Sequence, residues 1–222
     1  MLLAIDTATY VAGLALYDRG QVLAEEVWHS AMTHTVELMP RVQRMLNTHQ
    51  VAVESLVGIG VSLGPGSFTG LRIGLAAAKG MALPYRLPLV GVPTLDVEAY
   101  PFQRAGQPVW GVIRAGRGRL AVACYDNVDG TWSQTIPPTL TTIEGLCDLA
   151  TEPAVFTGEI DEQGASALRE RLGQRATIPS AAIRLRRPAC LAELAAARLS
   201  RDDVDDVATL APIYLQHPAV GR

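Results

Sequence analysis

Cysteine is scarce in this chain. Cys124, Cys147 and Cys190 are odd in number, far apart and without a Cys-x-x-Cys pair, which excludes a disulfide framework and a cysteine-built zinc site and predicts three buried thiols. Lysine is scarcer still, with Lys79 alone, so nearly all positive charge is arginine. The 19 basic residues against 22 acidic ones leave a net charge of −3, too little of one sign to pull the whole chain towards nucleic acid. Any RNA contact must be local or shared with a partner. No apolar run reaches the roughly 18 residues of a membrane helix. The opening Met1-Leu2-Leu3-Ala4-Ile5-Asp6 has no basic segment and soon meets an acid, unlike a secretion signal, and predicts a cytoplasmic protein. Among the few histidines, His34 and Glu37 have the spacing of a shared metal, but the position four after His34 is Leu38, so no metal site is expected.

Glycine, by contrast, is concentrated where it matters. Gly64-Pro65-Gly66-Ser67-Phe68-Thr69-Gly70-Leu71-Arg72-Ile73-Gly74 lies between an apolar run from Leu56 to Leu63 and an alanine-rich run ending near Leu83. The first reads as a buried strand and the second as a helix, so the glycines make the loop between them. Pro65 fixes one φ, Gly64, Gly66 and Gly70 permit φ > 0, and Ser67 or Thr69 can cap the new helix.

Around this loop the chain predicts three antiparallel strands (2–6, 11–17, 21–28), a helix over 35–46 that Pro40 should bend, the 56–63 strand, the 69–83 helix, a strand at 87–92 and a short helix from Thr94. The pattern lapses between Tyr100 and Gln107, which places a domain boundary there, dividing 1–103 from 104–222. The order then recurs: strands at 109–114, 120–126 and 132–136, a helix at 141–150, a strand at 154–157 and a helix at 162–172. Two βββαβα units in series predict an α/β protein of two ribonuclease-H-like lobes, each a mixed sheet flanked by helices. A last helix from Pro188 to Leu199 and an acidic stretch at Asp202, Asp203, Asp205 and Asp206, read as a solvated linker, complete the second lobe.

Several motifs invite chemistry. Gly60-Val61-Ser62-Leu63-Gly64 has the form of a nucleophile elbow, but glycines and Pro65 separate Ser62 from the helix, and His217 beside Pro218 is a poor partner. The glycine loop has the composition of a phosphate cradle, with Arg72 as charge partner, yet no lysine follows its last glycine. Asp6 ends the first strand, where with Thr7 and Thr9 it has the makings of a nucleotide site. The matching hairpin of the second lobe, Ile113 to Leu120, holds Arg114, Arg117 and Arg119 and no acid. Such a loop suits an anion or an acidic partner and cannot hold Mg²⁺. Finally, Gly70, Gly74 and Ala78, with Ala77 and Met81 beside them, form a stripe of low bulk on the helix. It suits either close packing on the chain's own sheet or a protein interface.

Ala4 to Thr9, Thr33-His34 through Met39-Pro40, the Gly64–Gly74 stretch and Pro212-Ile213-Tyr214-Leu215 together resemble the TsaB (YeaZ) family, closely over the first hundred residues. The resemblance implies the actin/Hsp70/sugar-kinase fold and a non-catalytic subunit of the bacterial tRNA N6-threonylcarbamoyladenosine transferase complex. It implies pairing with a TsaD-like catalytic subunit through Val36, Met39, Gly70, Gly74, Ala77, Ala78 and Met81, and work with a TsaE-like ATPase and, through the complex, tRNA. Gly64, Pro65, Gly66, Ser67, Thr69 and Arg72 would be the family loop, and Asp6, Thr7 and Thr9 a vestigial nucleotide site. No cofactor would be tightly bound, with ATP entering only in the assembled complex, and the isolated chain could pair with itself. TsaD holds its metal through a His-x-x-x-His pair that this chain lacks. Relatives usually carry Asp-Ala-Arg and a Glu where this chain has Arg114-Ala115-Gly116 and Arg119, a departure that weakens any nucleotide role. The rival expectations are a stand-alone ATPase or phosphotransferase of the same superfamily and a metalloprotease-like activity.

Overall fold

The computed structural model describes residues 1–30 and 33–215, so His217 lies outside the described residues. The chain divides into one unit of residues 1–97 with 187–213 and another built on residues 98–186.

In the first unit, β1 (Leu2–Asp6), β2 (Val11–Asp18), β3 (Gln21–His29), β4 (Gly58–Gly64) and β5 (Leu89–Pro93) form a sheet in the order β3-β2-β1-β4-β5. The first three strands are antiparallel, and β1-β4-β5 run parallel. β1 and β4 are buried along their whole length, because helices cover both faces of the sheet and a central strand then has no side left for polar residues. Leu3 and Ile5 pack on one face with α1 (His34–Thr48) and α2 (Phe68–Tyr85), while Leu2 and Ala4 pack on the other with α6 (Pro188–Leu199). α1 continues through Pro40 without a break.

The place of α6 corrects the expected boundary. The second unit begins at Glu98, within the short helix α3 (Thr94–Ala99), and the chain returns to the first unit at Arg187. The cause is a groove of missing side chains: a Cβ on Gly13 would stand 2.8 Å from Pro188 Cγ, and one on Gly60 would stand 2.7 Å from Ala195 Cβ. Glycine on a central strand lets a helix lie close. The acidic stretch behind α6 is likewise not a solvated linker. Asp203 and Asp205 pair with Arg198, raising its guanidinium pKa, and Asp205 Oδ2 accepts the Gly91 N–H at 2.7 Å. This tail is fastened to the edge of the first sheet.

The second unit repeats the plan with β6 (Val109–Arg114), β7 (Leu120–Val128), β8 (Thr131–Thr141), β9 (Ala154–Gly158) and β10 (Ala176–Thr177) in the order β8-β7-β6-β9-β10. α4 (Ile143–Leu149) and α5 (Glu162–Leu172) pack over Trp110, Val112, Val122 and Phe156. Cys124 and Cys147 are buried as expected, whereas Cys190 is partly exposed.

Candidate functional site

The glycine loop turns inward. Gly64 alone uses the left-handed region, at φ +111°; Gly66 and Gly70 serve close approach instead, since a Cβ on either would overlap a backbone carbonyl oxygen, of Ala8 and Thr7 respectively. Ser67, not Thr69, is the N-cap, its Oγ accepting the Gly70 N–H at 3.2 Å. The Ser67 N–H donates to Ala8 O, and the Ile213 N–H donates to Leu63 O. Loop and first hairpin thus close on each other, so that hairpin backbone stands where the rival reading would have put a phosphate.

The three residues expected at a nucleotide site are spent in the same joint. Asp6, Thr7 and Thr9 are all nearly inaccessible. Asp6 Oδ1 accepts from the Ala8 N–H and the Ser62 hydroxyl, both at 2.9 Å. Thr7 Oγ1 donates to Gly70 O at 2.8 Å, and Thr9 Oγ1 accepts from the Val11 N–H. Ser62, held by Asp6 and 1% exposed, is no nucleophile. His34, the first residue of α1, is buried beside this joint. Burial pulls its imidazole below the usual value, against the raising influence of Glu37 and Asp6. Among the described residues no three His, Cys, Asp or Glu side chains gather as metal ligands.

The small-residue stripe requires a second correction. Gly70, Gly74, Ala78 and Met81 are buried, and a Cβ on Gly74 would overlap Thr7 Oγ1. The lack of bulk at Gly70, Gly74 and Ala78 seats α2 on its own sheet, Met81 joins the core beneath, and Ala77 is half-buried against the same core. Val36 and Met39 of α1, at 70% and 43% exposure, do face outward. On α2 the residues Arg72, Ala76, Gly80 and Leu83 are exposed at helical spacing. Gly80 has no atom within 4 Å of where its Cβ would be. A glycine inside a helix costs about 1 kcal/mol relative to alanine, and nothing in the described chain requires this one. Sequence reasoning missed Ala76, Gly80 and Leu83; the signal was a second four-residue spacing, 72-76-80, one face over from 70-74-78.

In the second unit the arginine hairpin stays open. Its loop closes on itself through the Ala115 N–H to Arg119 O and the Arg119 N–H to Gly116 O, with Gly116, Arg117 and Gly118 all left-handed. Between this loop and the start of α5 lies a cleft of about 430 Å³. Behind it, Glu98 and Arg186 form a buried ion pair at 2.9 Å, at 2% and 1% side-chain exposure.

Two serial sheets of one strand order, with parallel and antiparallel pairs placed alike, define an α/β protein of two similar lobes. Comparison with known proteins places it further. A family model described as TsaD, tRNA N6-adenosine threonylcarbamoyltransferase, matches residues 21–219. The tRNA threonylcarbamoyladenosine biosynthesis protein TsaB of Bacillus subtilis is 30% identical over 218 residues, covering 97% of this chain and 93% of that protein. Its namesake in Escherichia coli is 41% identical over 137 residues, 59% of this chain and 58% of that one. A crystal structure of an uncharacterized Pseudomonas aeruginosa protein with similarity to peptidase YeaZ superimposes with a TM-score of 0.80 at 25% identity, covering 97% of this chain and 99% of that one. The chain belongs to the TsaB (YeaZ) family of tRNA threonylcarbamoyladenosine biosynthesis proteins.

Proposed function

We propose that this chain is a non-catalytic subunit in the formation of tRNA N6-threonylcarbamoyladenosine, and that it offers the outer face of α1 and α2 to a TsaD-like catalytic subunit. The observation that carries this reading is Gly80, a glycine inside an exposed helix face with no internal reason to be there, in line with the exposed Ala76 and Leu83, while Val36 and Met39 are exposed on α1. A face with so little bulk lets another helix approach closely, and its apolar rim supplies the area. The non-catalytic role is supported by the first hairpin, where Asp6, Thr7 and Thr9 are committed to internal hydrogen bonds. Nucleotide would then enter only in the assembled complex with a TsaE-like ATPase, and tRNA would meet the composite surface. Alone, the same face would pair with a second copy. No helix among the described residues is long and apolar enough to cross a membrane, which suits work on tRNA in the cytoplasm.

Co-purification with the organism's TsaD-like protein tests this. Gly80→Arg and Ala76→Glu are expected to weaken association at least tenfold and to abolish tRNA modification in the reconstituted system, with the melting temperature of the chain within a few degrees of the original. Association that survives both substitutions would place the interface elsewhere. ATP turnover by the purified chain, lost in Asp6→Asn, would favour the stand-alone enzyme.

A further inference from the structure

The outer strands of a sheet leave a row of backbone N–H and C=O groups with no strand to bond, and proteins blunt such edges. Three of the outer strands here are blunted. β5 is bridged by the tail, where the Asp205 N–H donates to Leu89 O and Asp205 Oδ2 accepts the Gly91 N–H. β8 carries Pro137 and Pro138, each without an N–H, and β10 is two residues long. β3 differs. It is nine residues long, holds neither proline nor lysine, and pairs only with β2 among the described residues.

The pairing with β2 fixes which groups of β3 are left over. The Ser30 N–H donates to Tyr10 O at 2.7 Å, so residues 10 and 30 are a hydrogen-bonded pair, and in an antiparallel ladder such pairs alternate with non-bonded ones. Val11 opposite His29, Gly13 opposite Val27 and Ala15 opposite Glu25 are therefore the non-bonded pairs. The backbones of Glu25, Val27 and His29 point away from β2. The one irregularity of the pairing lies between Val22 and Ala24 and leaves this segment regular. Nor do its acids repel an incoming strand, because Glu25 pairs with Arg187 and accepts the Ala189 N–H at 3.0 Å, and Glu26 pairs with Arg41 and Arg44.

We infer that β3 pairs with β3 of a second copy of this chain, antiparallel about a two-fold axis through Val27. The strand is its own complement in that register. An axis through Glu25 or Glu26 would set a carboxylate against its own copy, and like charges directly opposite destabilise a sheet. The axis through Val27 sets Val27 against Val27, Glu25 against His29 and Glu26 against Trp28, with no like charges opposed. The outward N–H and C=O groups of Glu25, Val27 and His29 then bond those of the other copy, and the two first-lobe sheets become one. A two-fold contact of this kind closes after two copies. Val36, Met39, Ala76 and Gly80 take no part in it, so it is separate from the α1/α2 face.

The test uses the full chain carrying Gly80→Arg and Cys190→Ser, which removes association through the α1/α2 face and the partly exposed native thiol. Sedimentation velocity over a concentration series is expected to show a monomer–dimer equilibrium. Val27→Pro takes away one outward N–H and leaves the bonds to β2 in place, and is expected to raise the dissociation constant at least tenfold. Val27→Lys keeps the backbone and sets two ammonium groups against each other on the axis; it is expected to do the same, and serves if the proline variant is unstable. Mild oxidation reads the register. Val27→Cys should form a disulfide between copies, since opposed Cα atoms about 5.5 Å apart are within its span, whereas Ala24→Cys, set opposite Ser30, should not. A chain that stays monomeric at every concentration, a dimer indifferent to the Val27 substitutions, or crosslinking at Ala24 and not at Val27 overturns the inference. Co-purification of the Val27 variants with the TsaD-like subunit, without Gly80→Arg, reports separately on the other face.

Discussion

The two lobes place a hairpin and a helix start in equivalent positions and use them in opposite ways. Each sheet ends its fourth strand on a left-handed glycine, Gly64 at φ +111° and Gly158 at φ +100°. A capped helix follows in each, with Ser67 accepting from Gly70 N–H in one and Asp161 from Gly164 N–H in the other. In the first lobe the helix sinks onto the hairpin until Gly70 meets the Thr7 backbone, and the space between them vanishes. In the second, the nearest atom to a Cβ on Gly164 is its own capping oxygen, 3.3 Å away, and the cleft remains. One topology therefore yields a filled joint or an open site. Side-chain volume at a few positions makes the choice.

Substitutions can break this contrast. The largest effect is expected from Arg186→Leu in the second lobe, where Glu98 would be left charged in a buried site; loss of one partner of such a pair costs about 3–5 kcal/mol. Urea unfolding should show it, and the double replacement Glu98→Met with Arg186→Leu should recover part of the loss. Next comes the glycine pair. Gly70→Ala forces a methyl group against a backbone oxygen and should cost about 3 kcal/mol, whereas Gly164→Ala, meeting only side-chain atoms of Asp161, Ile160 and Ile143 at 3.3 to 3.6 Å, should stay within about 1 kcal/mol of the original. Equal losses at both positions would dissolve the distinction between filled and open.

The smallest effect is a pH dependence confined to the first lobe. Because burial holds His34 below its usual pKa, the unfolded chain takes up that proton first. Its contribution to stability is therefore complete above the ordinary histidine value of about 6.5 and declines as pH falls towards the folded value. Melting temperatures measured across this range should fall more steeply for the original chain than for His34→Gln.

Much of this was legible in the sequence because it is local. The short apolar run of β1, the alternation of β3, the Ser67 cap and the strand-loop-helix around Gly64 are written within a few residues, and the repeated element order exposed both lobes. What escaped depends on distant partners. Two small-residue stripes lie side by side on α2, and only the position of Thr7 decides that Gly70 and Gly74 face inward while Ala76 and Gly80 face out. The return of α6 is encoded in Gly13 and Gly60, glycines on central strands more than 120 residues before the helix that uses them. The arginines of the second hairpin were visible as charge, but the cleft they line exists only because α5, some 45 residues on, stands away from them. β10, at two residues, is too short to carry any periodicity.

The return of α6 also has a consequence for how the protein is made. On the ribosome, residues 98–186 emerge as one uninterrupted stretch and can complete their sheet and helices in order. The first lobe, although its strands appear earliest, waits for Pro188 to Leu199 before the back of its sheet is covered. The piece synthesised first is therefore the piece finished last, and in the interval the flat strip at Gly13 and Gly60 is open to any chaperone or neighbouring chain that can lie along it.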